Sequence, residues 1–227
     1  MIRIFHKATN ILSNVNLTKF VYYNFFCKSV VRKKGCYLIT FRNCVINLHK
    51  SSRLYINIGT IQLGVAKLRG SKAETYLQMD ENASWVSNGA AELFFQTQIH
   101  IQKNAVFETG YFSANIGTAI ICSKKVTLGE NVMIGRNILI YDSDHHRIID
   151  QNGDMVNNDK EVTIRDHVWL TSNVTVLRGV TIGEGCIVAA QTVIKKDLPP
   201  DSLVFGSTSA NVTIVKKETA WSRESTH

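Results

Sequence analysis

The run Tyr141-Asp142-Ser143-Asp144-His145-His146-Arg147-Ile148 sets two adjacent imidazoles among carboxylates. An alcohol is a poor nucleophile until it loses its proton, and histidine, with an unperturbed pKa of about 6.5, suits the task of removing it. Taken alone, either His145 or His146 could serve as that general base. Asp142, Asp144 or a backbone carbonyl could hold the imidazole tautomer. Combined with His167, the pair could instead supply three zinc ligands, the chemistry of a hydratase. Asn115, in Ser113-Ala114-Asn115-Ile116-Gly117, carries an amide able to donate to an oxyanion or orient an acceptor, or simply to shape a turn.

These residues need a scaffold, and a repeat supplies one. Ile164, Leu170, Val176, Ile182, Val188 and Ile194 stand six residues apart, each preceded two positions earlier by Val162, Val168, Val174, Val180, Cys186 or Thr192. Upstream, Val126/Leu128, Val132/Ile134 and Ile138/Ile140 keep the spacing, as do Leu93/Phe95, Ile99/Ile101 and Ala105/Phe107. A helix repeats every 3.6 residues and a strand every two, so a sustained period of six requires a chain that turns at each hexad. Short strands joined by corners containing Gly129, Gly135 and Gly183 would wind into a triangular coil that buries one continuous core. In that geometry Trp169 sits between two inward positions and faces outward.

The polar stretches 143–161 and 70–90 break the period and are expected to leave the coil as loops, where function concentrates. Residues 2–33 mix apolar and basic side chains in a pattern compatible with one or two short amphipathic helices, packed as a cap on the coil or lying on a membrane surface. The expected division is a basic amphipathic helical segment at 1–35, the coil at 36–205, and a C-terminal extension at 206–227, of which residues 216–227 read as a solvated or partner-dependent tail.

Residues 1–73 hold 13 Lys or Arg and no Asp or Glu, whereas the rest of the chain is net acidic. Such a front end seeks phosphate, anionic lipid or acidic glycan, or is a solvated basic face. Nucleic acid is set aside because no zinc-finger, helix-turn-helix or aromatic RNA-binding signature is present. Cys27, Cys36, Cys44, Cys122 and Cys186 form no C-x-x-C pair and suit a reducing compartment. Neither a signal peptide nor an apolar run long enough to span a bilayer is read from the sequence.

With SAN at 113–115, YDSDHHRI at 141–148, the hexad run 162–194 and KKDLPP at 195–200, the chain resembles the hexapeptide-repeat acyltransferases. The similar branch contains galactoside and maltose acetyltransferases and O-acetyltransferases of capsular and surface polysaccharides. The resemblance implies an all-β solenoid, a left-handed parallel β-helix with an extruded loop, assembled as a homotrimer with sites between subunits. It also implies an acetyl-CoA:carbohydrate O-acetyltransferase with no metal, acting on a surface or capsular polysaccharide or its precursor. The protein would be cytoplasmic, at the inner face of the membrane if residues 1–35 touch it.

In that family the base precedes a tryptophan by the distance separating His145 from Trp169, which favours His145 over His146. By the same resemblance Asn115 lies beside the reacting centre. Trp169, Ser172 and Ala190 line coenzyme A, and Lys195 and Lys196 meet its phosphates. Downstream the pattern departs: Gly206 is followed by Ser207, Thr208, Ser209 and Ala210 where similar enzymes have a proline and basic residues. Transfer to the amine of a nucleotide-linked amino sugar and a catalytically silent, glycan-binding solenoid are the rival readings.

Overall fold

The structure, a computed structural model, describes residues 14–206, the backbone of 213–216, and Arg223. From Val30–Arg32 to Val193–Ile194 each strand pairs in parallel with one three places away along the chain, so the chain completes one circuit of three sides between partners. The first side stacks Val30–Arg32, Arg53–Ile56, Ser84–Ser87, Val106–Thr109, Lys125–Leu128, Val162–Ile164 and Thr181–Ile182. The second stacks Tyr37–Thr40, Thr60–Val65, Ala91–Phe94, Phe112–Ala114, Val132–Arg136, Trp169–Ser172, Ile187–Val188 and Ser202–Phe205. The third stacks Cys44–Leu48, Thr75–Met79, Gln98–Ile101, Ala119–Cys122, Leu139–Tyr141, Thr175–Val176 and Val193–Ile194. The coil is a left-handed parallel β-helix.

Sides of two residues such as Thr175–Val176 cannot be stable as isolated strands. Stacking holds them: Val176 lies on Ile140 and under Ile194, and all three are buried. Full burial of each such side chain contributes about 1.5–3 kcal/mol against backbone ordering of about 1–2 kcal/mol per residue, so the inward column offsets the cost of the turns. Within the core Trp85, Phe107 and Phe112 cluster, with ring centroids 5.2, 6.4 and 6.1 Å apart. The Trp85 indole N–H donates to Thr109 Oγ1 at 3.0 Å, which satisfies its one polar atom.

The corners differ from expectation in an informative way. Gly129, Gly135 and Gly183 are not left-handed; that conformation falls to Asn131, Asn137, His167, Asn173 and Gln191, all with φ between 54° and 62°. Asparagine tolerates this region because its short side chain bonds locally. Gly135 is required by contact instead: a Cβ there would lie 1.3 Å from the Thr171 carbonyl oxygen of the next coil.

Residues 70–90 do not form the expected excursion. They carry two sides of the coil, Thr75–Met79 and Ser84–Ser87, with Leu77, Met79, Ala83 and Trp85 buried. Leu77 and Ala83 are six residues apart but Ala83 and Ala91 are eight, so sides of unequal length hide the register in the sequence. The stretch without strands is the shorter 66–74. The excursion at 143–161 is present: between Tyr141 and Val162 the chain leaves the coil and returns across an isolated antiparallel bridge from Ile149 to Met155.

Residues 1–13 of the expected N-terminal segment lie outside the described residues. The described part is helical at Leu17–Val21 and continues as a π-helical turn at Tyr22–Phe26, whereas Val30–Arg32 is already the first strand of the coil. Asn16 caps the helix by accepting from the Lys19 N–H at 3.0 Å. Buried Asn24 ties it down, donating to the Phe20 and Leu38 carbonyls and accepting from the Leu38 N–H at 2.8 Å. Of the C-terminal extension, the described residues beyond Gly206 touch the coil. Thr213–Lys216 pairs antiparallel with Ser202–Phe205, and Arg223 donates to Ser113 Oγ and the Val132 carbonyl, both at 2.8 Å, with its guanidinium over the Tyr111 ring.

Candidate functional site

The coil sorts the site residues expected from the sequence into two corner columns at opposite ends of the third side. Asn115 begins the corner that leads from Ala114 to Ala119. Directly below it the Asn137 N–H donates to the Ile116 carbonyl, Asn137 Nδ2 bonds Asn173 Oδ1 at 3.2 Å, and the Gln191 N–H donates to the Ser172 carbonyl at 3.0 Å. Asn115, Ser172 and Ala190 therefore share one corner, with Ala190 exposed. Trp169 stands on the strand entering it, half-buried between the buried Val168 and Leu170, so it faces outward as its register requires.

Neighbouring outward positions in this second side are Ser113, Met133, Trp169 and Ile187. Arg223 reaches the Ser113 end of that row. Sequence reasoning missed Arg223 because the contact joins positions 110 residues apart. The Asn115 Oδ1 accepts from the Ile116 N–H at 2.8 Å, which turns its NH2 group the other way, as a donor.

The second column is the corner where the third side returns to the first. It carries Ser123–Lys125, the 143–161 excursion with His145 and His146, then Arg178, then the exposed Lys195 and Lys196. Asp142 anchors it. Its carboxylate, fully buried, accepts from the N–H groups of Ser123, Lys124 and Lys125 at 2.6, 2.8 and 2.7 Å. Three successive N–H groups converging on one anion form a backbone nest. Asp142 is thereby committed to holding the root of the excursion, and no bond joins it to His145.

Asp144 is engaged elsewhere too. Arg178 Nε donates to its Oδ2 at 2.7 Å and Asn157 Nδ2 at 3.1 Å. The Arg178 guanidinium holds the Asp144 carboxyl below the usual carboxylate range, with Asn157 and His145 adding to the effect. Asn157, buried inside the excursion, also donates to the His146 carbonyl and accepts from the Ile148 N–H, at 2.7 and 2.8 Å. Neither Arg178 nor Asn157 stands out in the sequence: Arg178 meets Asp144 across 34 residues.

His145 projects from this framework with φ of 60°, its N–H donating to Ser143 Oγ at 3.0 Å. Its exposed ring lies 6.3 Å from that of Tyr141 and borders two hollows. One, of about 340 Å³, is lined by Ile121, Leu139, Tyr141, Ser143 and Asp144. The other, of about 450 Å³, runs along Gln102, His146, Arg147, Met155 and Asn157. Burial, reinforced by Asp144, pushes the Tyr141 hydroxyl above its ordinary pKa. His167 sits at a different corner, its ring Nδ1 2.8 Å from Asn131 Nδ2, and the three histidines do not converge. Among the described residues no group of three or more His, Cys, Asp or Glu could hold a metal ion.

The two columns are separated by the third side. From Thr118 to Ser123 an extended chain spans roughly 16 Å at ~3.3 Å per residue. The corner that carries Asn115 and the corner from which the His145 excursion leaves are thus set apart along that side.

Comparison with known proteins agrees with this architecture. Residues 161–196 match the bacterial transferase hexapeptide family (six repeats). The galactoside O-acetyltransferase of Escherichia coli is 32% identical over 59% of this chain and 61% of its own length. That of Lactococcus lactis is 32% identical over 46% and 50%. The chain thus spans about half to three fifths of these relatives' lengths. The crystal structure of the polySia specific acetyltransferase NeuO superposes with a TM-score of 0.53 at 20% identity, over 88% of this chain and 91% of that one. This chain carries the hexapeptide repeat of the bacterial transferases, wound as a left-handed parallel β-helix.

Proposed function

We propose that the chain is an acetyl-CoA-dependent O-acetyltransferase that acetylates a sugar hydroxyl of a surface or capsular polysaccharide or its precursor, with His145 as general base. The observation that carries this reading is the division of the site residues into two corner columns, one with the extruded imidazole and the other with Asn115, Trp169, Ser172 and Ala190. The galactoside O-acetyltransferase relatives support a sugar hydroxyl as acceptor. Five free cysteines, four of them buried, fit the reducing compartment in which acetyl-CoA is found.

A catalytic base and an oxyanion donor must both lie within about 3 Å of the reacting groups, whereas the two corners stand roughly 16 Å apart along the third side. Side-by-side packing of copies resolves it, the His145 corner of one facing the Asn115 corner of the next. Three such junctions close a ring, the homotrimer.

In each junction coenzyme A lies along the Ser172–Ala190 column, with Trp169 against its pantetheine arm and Lys195 and Lys196 meeting its phosphates. His145 removes the hydroxyl proton as the sugar oxygen attacks the thioester carbonyl. The tetrahedral oxyanion is met by the Asn115 amide or the Ser172 N–H. Collapse expels the coenzyme A thiolate, which takes the proton back from His145, leaving an acetyl ester and free thiol. Asp144, fixed by Arg178 and Asn157, provides a nearby negative charge that stabilises the imidazolium formed midway.

The test is thiol release from acetyl-CoA with neutral sugars, acidic polysaccharides and amino sugars as acceptors. Release that depends on a hydroxyl acceptor, with an ester product, supports the reading. Amide product alone, or no acceptor-dependent release across the panel, overturns it.

A further inference from the structure

One end of the coil combines an uncovered apolar surface with a basic rim. The helical segment Leu17–Phe26 lies across the first coil, where Asn24 occupies the Leu38 backbone groups and Tyr23 donates to the Ile46 carbonyl. Its other face is open: Leu17, Val21, Tyr22, Phe25 and Phe26 are 64, 46, 53, 58 and 71% exposed. Five large apolar side chains left in water along one helical segment mark a contact surface.

The rim of the same end is basic at every corner. The first coil turns at Lys33–Lys34, at Arg42 and at His49–Lys50, and each of these side chains is exposed, as is Lys28 at the helix exit. Arg42 stands beside the helix, its N–H donating to the Asn14 carbonyl at 3.0 Å. Through residue 73 the chain has no acidic residue, and the carboxylates that approach this rim, Asp80 and Glu81 near His49, come from the next coil.

We infer that this end of the coil docks on an anionic lipid surface, with the Leu17–Phe26 face entering the headgroup layer and Lys28, Lys33, Lys34, Arg42 and Lys50 meeting the headgroup phosphates. An apolar aromatic face bordered by cations is the arrangement that seats a helix in a membrane interface. A soluble polyanion would be met by the rim alone and would leave Leu17, Val21 and Phe26 in water, so the apolar face selects lipid over glycan. The attachment is peripheral; no helix among the described residues is long and apolar enough to cross a membrane. It rests on geometry remote from His145 and stands independently of acetyl transfer.

The experiment is cosedimentation of the full chain with vesicles of phosphatidylcholine alone and of phosphatidylcholine with about 30% phosphatidylglycerol, at low and high salt, alongside circular dichroism. The protein binds the anionic vesicles, releases at high salt, and ignores the neutral ones. L17Q/F26Q keeps the wild-type spectrum and loses at least about tenfold in vesicle affinity. K33Q/K34Q, with both positions exposed in a turn, loses about thirtyfold.

Three results overturn the inference. One is no partition onto anionic vesicles by the wild type. Another is vesicle-free self-association that L17Q/F26Q abolishes, which would assign the face to a second copy. The third is vesicle binding displaced by dextran sulfate and unaltered in L17Q/F26Q, which would assign the rim to a soluble polyanion. Thiol release on a soluble acceptor is unchanged in both variants, so loss of membrane binding and failure of the acetyltransferase reading are read separately.

Discussion

Replacing Asp142 by asparagine separates two roles for this residue, orienting a catalytic histidine and building the corner that carries it. The carboxylate accepts three backbone N–H groups at 2.6–2.8 Å from a fully buried position. Asparagine has one acceptor oxygen; placed where Oδ2 sits it keeps the Lys124 and Lys125 N–H groups without the charge and turns its NH2 group toward the Ser123 N–H, so one charge-assisted bond is lost at ~1.5–3 kcal/mol and two are weakened. Lys124 is exposed at its side chain and Ser123 and Lys125 are half-buried, so water recovers part of the loss. The net cost is about 3 kcal/mol, which for a domain of this size lowers Tm by roughly 6–12 °C. Thermal and urea unfolding followed by far-UV circular dichroism, at fixed protein concentration, measures it. An unfolding midpoint within a degree of wild type, with activity lost, would refute the nest and return Asp142 to the imidazole.

Other substitutions probe the same account. Gly135→Ala drives a methyl group to 1.3 Å from the Thr171 carbonyl and separates the strands flanking Trp169, so the variant yields little folded protein; Gly153→Ala, at φ of 86° in open space, costs only about 1 kcal/mol by the same unfolding assay. Burial pushes the Tyr23 hydroxyl up to about 12, so its neutral form is held more tightly in the folded state than in the unfolded one. That stabilisation is complete below the unfolded value near 10 and is lost as pH rises toward 12; urea midpoints of Tyr23→Phe decline less over this window than those of wild type. Cys44, pushed up to about 11, titrates alongside and is common to both proteins. Co-refolding His145→Ala with Asn115→Ala restores about a quarter of wild-type activity, the statistical share of junctions receiving both intact residues, whereas sites confined to single chains stay inactive.

The inward column was legible because burial enforces it: Val162 to Ile194 repeat every six residues, and the structure buries them in turn. The polar 143–161 stretch was legible by contrast with that run. Residues 70–90 were misread because a six-residue side is followed there by an eight-residue one, and half-buried Tyr76, Gln78 and Ser84 on the outer face dilute the inward signal. The corner glycines drew attention for turning the chain, whereas Gly135 answers to the Thr171 carbonyl of the following coil, a contact that pattern alone does not expose.

At the site, the histidines and Asn115 were visible as residue types able to do chemistry. Their supports were not: Asp142 meets a nest 17–19 residues back, Arg178 reaches Asp144 across a full coil, and Arg223 returns to Ser113 from the far end of the chain. Such pairings depend on counting circuits of variable length, so they emerge only once the coil is wound.

The most direct test of the central claim compares acceptor-dependent thiol release by wild type and His145→Ala from pH 5 to 9. If His145 is the base, the variant loses at least about 100-fold in kcat and the acid limb of the wild-type profile disappears, while the circular dichroism spectrum and Tm stay unchanged. Undiminished release by a folded His145→Ala protein would contradict the account and pass the role to His146 or to another chemistry.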